Sequence, residues 1–474
     1  MQPNRKKNHR LLYKKYFKKI KKHSLAYCFK LKPFMKDLLK TTLFLFAGFI
    51  LLNGCQQKKS PKLNDAEILH QNQDLLTQII IYDVFTPPVA SRIYVYSSLA
   101  SYEAIRFSKE GTASIAEKLN GFGKMPQPEK NKKYDFTLAA TKAFFTVARN
   151  VKVFSVDSLK NYEESVYNNF KENLDDSTYG RSVAFGDTIG KTILARAKTD
   201  GYLSSRGKPK YLGSNDPGKW RPTPPDYSDG VEWCWNTMKP MVLDSCAQFA
   251  PPPPPQFSKD TNSVFYKNTK EVYTIAKNLT EEQKTIARYW DDYPFVIEHA
   301  GHMMFGNKKI TPGGHWMGIA AIAARKTNAD VVKIAQGYAM TSIALFDAFI
   351  ACWDEKYRSA VIRPVTVIDD WMDKTWLPFL QTPPFPEYTS GHSTITASAS
   401  SVLAYLYGDN FSFQDTSDLR YIGMQRHFNS FQEAAAEASM SRVYGGIHYR
   451  SGVDAGAAQG KKVGAFIIEK ILKK

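Results

Sequence analysis

From Asp65 onward, apolar residues recur at intervals of three and four, interrupted by proline and glycine, and this periodicity predicts a succession of amphipathic helices. The first helical stretch runs from Asp65 to about Phe107 and is broken by Pro87-Pro88. Three more cover Phe136 to Val151, Val156 to Leu174 and Gly180 to Asp200. Helical spacing resumes over Thr261 to Tyr293 and Gly318 to Trp353, with Pro312-Gly313-Gly314-His315-Trp316 read as the turn between them. A segment rich in small residues follows from Ser393 to Leu406, then an insertion around Gly408 to Leu419. Further helices are predicted near Gln432 to Tyr444 and from about Ser451 to Leu472. No stretch alternates long enough to predict a strand, so the expected fold class is all-α.

Residues 201–260 depart from this pattern. They are rich in Gly and Pro, including the run Pro251 to Pro255, and have few periodic apolar positions. Trp220, Trp233 and Trp235 argue for a loop packed across the body, because a disordered linker rarely carries three tryptophans. The expected organisation is a leader over 1–54, a tether over 55–64, an N-terminal helical part over 65–260 and a C-terminal helical part over 261–474.

Charge changes the picture only at the start of the chain. Of the formal +19, residues 1–54 supply +13, from 14 lysines and arginines against one aspartate, which leaves +6 for the remainder. That is ordinary for a body of this size, so no nucleic-acid partner is expected. Within the leader, Lys36 and Lys40 precede a 12-residue apolar run from Thr41 to Leu52, the length of a signal core rather than of a membrane span. Met35 is an alternative start. The run ends in Leu52-Asn53-Gly54-Cys55, which resembles a bacterial lipobox and implies cleavage before Cys55, lipidation of its thiol and contact with the membrane through that anchor only. An exported body would permit a Cys234–Cys246 disulfide, while Cys352, in an apolar helical stretch, reads as a buried thiol.

The candidate chemistry centres on Pro386-Glu387-Tyr388-Thr389-Ser390-Gly391-His392-Ser393, a loop entering a predicted helix. Ser390 and Ser393 are suitable N-caps, Gly391 permits close backbone approach, and the helix N-terminus favours an oxyanion beside His392. Upstream, Lys356 and Arg363 are seven residues apart and would share a helix face, with Pro364 ending the helix at Arg363. Downstream, Arg442 and His448 complete a set of three cations and two histidines. Such a set suits a tetrahedral oxyanion, with one histidine bonding the central atom and the other moving a proton.

In this order, Lys-x6-Arg-Pro, Ser-Gly-His and Ser-Arg-x5-His, the chain resembles the superfamily of vanadium-dependent haloperoxidases and type 2 phosphatidic acid phosphatases. Trp353, three residues before Lys356, and Phe385, seven before His392, bring it nearest the vanadium chloroperoxidase branch. The resemblance implies packed four-helix bundles with the site between helices. It also implies vanadate as cofactor on His448, with phosphate able to occupy the same place. Lys356, Arg363, Arg442, Ser390 and Gly391 would hold the oxyanion, His392 would handle protons, and Trp353 and Phe385 would flank the halide. The substrates would be hydrogen peroxide and halide, or a phosphate ester.

One departure stands out. The superfamily places an aspartate four residues after the second histidine, where this chain has Gly452, and the nearest carboxylate is Asp454. Asp454 is therefore the expected support of His448, and Asp292, beside Asp291, a weaker candidate for His392; a capping or solvated pair is the ordinary role of such aspartates. His315, His299, His302 and His427 read as packing or surface residues. Two enzymatic classes follow: a haloperoxidase, or a phosphohydrolase using a phosphohistidine on His448. A binding protein that holds phosphate without turnover is a third reading, suggested by Gly452. Against a lipid substrate, no run after Cys55 reaches about 18 uninterrupted apolar residues.

Overall fold

Side-chain caps open most of the helices: Asn64, Asp135, Asp175, Ser263, Thr311, Asp330, Ser390 and Ser430 each accept a backbone N–H from the first turn, and Thr280 with Gln283 forms a full capping box. The computed structural model describes residues 60–473 apart from 152, 295, 301, 302 and 308; the leader and residues 55–59 of the tether, Cys55 among them, lie outside the described residues. In chain order the helices are α1 (Asp65–Tyr82), α2 (Pro87–Ile105), α3 (Phe136–Ala148), α4 (Val156–Asn173), α5 (Asp176–Ala197) and the short α6 (Tyr202–Arg206). After the long loop come α7 (Val264–Lys277), α8 (Glu281–Tyr289), α9 (Pro312–Lys326), α10 (Val331–Ser359), α11 (Pro364–Trp371) and α12 (Gly391–Tyr407). The chain ends with the short α13 (Leu419–Ile422), then α14 (Phe431–Tyr444) and α15 (Arg450–Ile471).

One hydrophobic cluster extends from Leu69 to Ile471, and residues 61–474 form one compact unit. α10 runs through it: it is long and apolar enough to cross a membrane, yet its most apolar stretch is almost entirely buried inside the body. α12 and α15 approach closely because Gly456, Gly460 and Gly464 of α15 face α12. A Cβ on Gly460 would lie 2.0 Å from the Thr394 carbonyl oxygen. This seam sets the position of the α12 N-terminus, where Ser390 and His392 sit.

The loop over 201–260 packs across the body. Trp220 and Trp235 are fully buried, and the carboxylate of Asp347 on α10 accepts the N–H groups of Met241, Val242 and Leu243 at 2.6, 2.7 and 3.0 Å. Burying such a charged group is tolerated because each loop donor is aimed at it.

Three expectations are corrected. The described chain contains two antiparallel hairpins, β1 (Val296–Ala300) with β2 (Met303–Asn307) and β3 (Phe413–Asp415) with β4 (Arg426–Phe428). Strands this short give alternation too little length to register. Pro312-Gly313-Gly314-His315-Trp316 is the first turn of α9, not a turn between helices, with Thr311 as cap and Pro312 where a missing N–H costs nothing. Finally, Cys234 and Cys246 are free thiols, and the Sγ of Cys246 faces Asp354 Oδ1 at 3.5 Å.

Candidate active site

The basic cluster is assembled by chain reversals. α10 ends at Ser359 because Ala360 adopts a left-handed conformation, φ 50°, and Arg363 then becomes the residue before α11. Lys356 and Arg363 thus lie on different elements, contrary to the shared helix face that their spacing predicts. They converge on one loop nevertheless. Lys356 Nζ donates to the carbonyls of Pro386 and Glu387 at 2.9 and 3.0 Å, and Arg363 Nε donates to that of Phe385 at 2.8 Å.

The same loop leads into α12, where Ser390 Oγ accepts the Ser393 N–H at 3.4 Å and the Ser390 N–H donates to the Gly452 carbonyl at 2.9 Å. His392 lies in the first turn. Arg442, near the end of α14, donates through Nη1 to the Trp290 carbonyl at 2.6 Å. His448 follows in the connection to α15.

His448 is held on both sides. Its Nδ1 lies 2.7 Å from Glu387 Oε1, which also accepts the Tyr449 N–H at 3.1 Å, and its Nε2 lies 3.1 Å from Arg363 Nη1. A carboxylate acceptor on Nδ1 and a guanidinium donor on Nε2 select the tautomer with its proton on Nδ1 and its lone pair on Nε2. Burial, then Arg363 and Lys356, hold His448 well below the usual histidine value. Burial, then Arg442 and His315, do the same for His392, so both imidazoles are neutral at neutral pH. Burial also pushes Lys356 down to about 7 and Glu387 up to about 7.

Asp454 does not support His448. It is exposed on α15 beside Arg450, and Glu387 occupies the role instead. Asp292 is buried rather than solvated. It lies 3.9 Å from His392 Nε2 but spends its hydrogen bonds on His315, at 3.1 and 3.2 Å, while Asp291 pairs with Lys309 at 2.5 Å.

Trp353 and Phe385 form an aromatic wall with ring centroids 5.1 Å apart. Lys356 Nζ lies 5.0 Å from the Phe385 centroid and 5.8 Å from that of Trp353, and Arg363 Cζ lies 5.0 Å from Phe385. The cavity between them is also lined by Tyr293, Gly391, His392, Arg442 and His448. Four buried polar atoms of this region, Arg363 Nη2, Arg442 Nε, His392 Nε2 and Ser393 Oγ, have no hydrogen-bond partner among the described residues. Orphaned buried donors on two guanidiniums, beside a helix N-terminus, fit a tetrahedral oxyanion.

Comparison with known proteins decides the family. Residues 336–474 match the family model described as the VCPO second helical-bundle domain. A solved structure described as the first bacterial vanadium-dependent iodoperoxidase is similar to this chain at 44% identity and a TM-score of 0.81, covering 87% of this chain and 98% of that one. The chain belongs to the vanadium-dependent haloperoxidases. Within this family, the holo-type and apo-type structures of a bacterial vanadium-dependent chloroperoxidase, each 20% identical, share the fold. Their TM-scores are 0.64 and 0.63, covering 82% and 81% of this chain and 93% and 94% of theirs. No curated protein matches the chain.

Sequence reasoning about this haloperoxidase missed Glu387, Tyr293 and His315. Glu387 stood inside the central loop, and Gly452 was the signal that the usual carboxylate had to come from elsewhere. His315 gave no signal, because all three of its carboxylate neighbours are distant in sequence.

Proposed function

We propose that this protein is a vanadate-dependent haloperoxidase that oxidises iodide with hydrogen peroxide. The observation that carries the reading is His448: neutral, fixed through Nδ1 by Glu387, and presenting its Nε2 lone pair beside Arg363 and close to the orphaned guanidinium atoms. Vanadate would bond His448 Nε2, and Arg363, Arg442, Lys356, Ser390 and the Gly391 N–H would hold its oxygens. When bound, vanadate supplies a Lewis-acidic centre that activates hydrogen peroxide as a two-electron oxidant. The residues do the rest. His392, neutral and in the first turn of α12, would accept a proton from hydrogen peroxide and donate it to the oxygen that leaves as water. Lys356 adds positive charge next to the aromatic wall, and Trp353 and Phe385 exclude water on the side where halide approaches. Halide, hydrogen peroxide and one proton give hypohalous acid and water.

Iodide is the proposed halide because the relative at 44% identity is described as an iodoperoxidase and iodide is the most easily oxidised of the candidates. We further propose that the protein is an exported lipoprotein anchored through Cys55, a reading supported by the lipobox-like leader.

The test uses protein purified without phosphate and measures oxidation of iodide, bromide and chloride by peroxide, with and without orthovanadate. Vanadate-dependent oxidation, greatest with iodide and lost in His448→Ala, is the expected result. Hydrolysis of p-nitrophenyl phosphate that vanadate inhibits, with no halide oxidation, would overturn it in favour of a phosphohydrolase.

A further inference from the structure

His315 has no exposed surface, and carboxylates engage both of its ring nitrogens. Nδ1 faces Asp292 at 3.1 Å and Asp418 at 3.5 Å, and Nε2 faces Asp415 at 2.9 Å. The ring stacks on Trp290, centroids 4.5 Å apart and planes 18° apart, and meets Tyr289 edge-on at 5.4 Å. Three separate parts of the chain meet here. His315 belongs to α9, Trp290 and Asp292 to the segment after α8, and Asp415 and Asp418 to the insertion between α12 and α14. Burial opposes a charge on His315, but Asp292, Asp415 and Asp418 outweigh it and hold the imidazole well above its ordinary value. It is therefore an imidazolium.

The segment it grips touches the oxyanion site twice. The Trp290 carbonyl holds Arg442 at 2.6 Å, and Asp292 Oδ2 stands 3.9 Å from the orphaned His392 Nε2. Asp292 is a buried carboxylate beside a site built to bind an anion, and it also feels the charge of Arg442. A buried carboxylate without a partner is costly, so an unclamped Asp292 would turn toward Arg442, whose charge it already feels and which the oxyanion needs.

We propose that His315 is a positioning residue: clamped by Asp415 and Asp418 of the insertion, it draws Asp292 away from Arg442 and keeps the oxyanion pocket free of this competing carboxylate. The inference rests on the site binding a tetrahedral oxyanion, not on which reaction follows. It also gives the insertion a purpose, since the insertion supplies two of the three carboxylates around the ring.

The experiment is a double-mutant cycle read by calorimetry, titrating orthophosphate and then orthovanadate into the full chain purified without either. His315→Asn is expected to weaken both anions by about 10-fold, the lower end of what loss of an outer-sphere partner costs. Adding Asp292→Asn in the same chain is expected to recover affinity to within about 3-fold of the starting protein, because the freed carboxylate no longer competes. A purely structural role for His315 would give no recovery. Asp415→Asn, which keeps the side-chain shape, supplies a second variant should His315→Asn fold poorly; it is expected to weaken both anions, by less than His315→Asn does. Unchanged anion affinity in His315→Asn or Asp415→Asn, or a loss that Asp292→Asn deepens or leaves in place, would overturn the proposal. If the parent protein bound both anions but oxidised no halide, the peroxidase reading would fail and this cycle would still decide the role of His315.

Discussion

A Cβ atom built on Gly452 would lie 2.2 Å from Glu387 Oε1, so a side chain at 452 and the observed Glu387 carboxylate exclude one another. This explains the missing aspartate. The carboxylate that orients His448 comes from the loop before α12 instead of the first turn of α15, and glycine at 452 is the space it requires.

Gly452→Ala should therefore displace Glu387 and loosen His448, lowering vanadate affinity by about 10- to 100-fold. Glu387→Ala should do the same. Glu387→Ala combined with Gly452→Asp moves the carboxylate to its other position and should regain part of the loss. Vanadate titration of the three variants checks this, and a double variant no better than Glu387→Ala alone would show that the two positions are not interchangeable.

Lys356 makes the stability of the protein without its oxyanion depend on pH. Burial lowers its ammonium from 10.5 to about 7. A depressed lysine contributes stability that is full above its unfolded value and is lost as pH falls through the folded value. Thermal melting of the parent relative to Lys356→Met should therefore drop progressively as the pH is lowered from about 10 to about 7, then level off. A constant difference over that window would contradict the assignment. Glu387, raised from 4.5 to about 7, acts in the opposite sense, its contribution full below 4.5 and lost as the pH rises through about 7. Because Lys356 lowers the Glu387 value, the comparison is made with Glu387→Gln in both proteins.

The α12–α15 seam admits no added methyl at its centre. Gly460→Ala places a carbon 2.0 Å from the Thr394 carbonyl oxygen, a fixed backbone atom, and should cost about 1–3 kcal/mol. Denaturant unfolding measures the loss. Because α12 carries Ser390 and His392, oxyanion affinity should fall as well, whereas Gly123→Ala, with nothing within 4 Å of its added carbon, should change neither.

Membrane association should depend on Cys55 alone. In a bacterial host, Cys55→Ala is expected to abolish labelling by radioactive palmitate and to release the body in soluble form. Retention of Cys55→Ala in the membrane fraction would point to another means of attachment.

The helices and the all-α class were legible in the residues because they depend on neighbours three or four positions away. Asp65, Phe136 and Val156 open helices where periodicity places them. The basic residues and histidines of the site were legible as a set, since their types and spacing suit an oxyanion whatever path the chain takes between them. Tertiary structure decided everything that depends on closure. Ala360 turns Arg363 off the helix of Lys356, so the two meet across a loop rather than along a face. The partner of His448 is Glu387, 61 positions earlier, and not the nearby Asp454. His315 is ordinary in its local sequence and becomes an imidazolium only when Asp292, Asp415 and Asp418 fold around it. Local backbone preference acts over a few residues, but the environment of a buried charge is set by whichever segments pack against it, and only the folded chain brings those together.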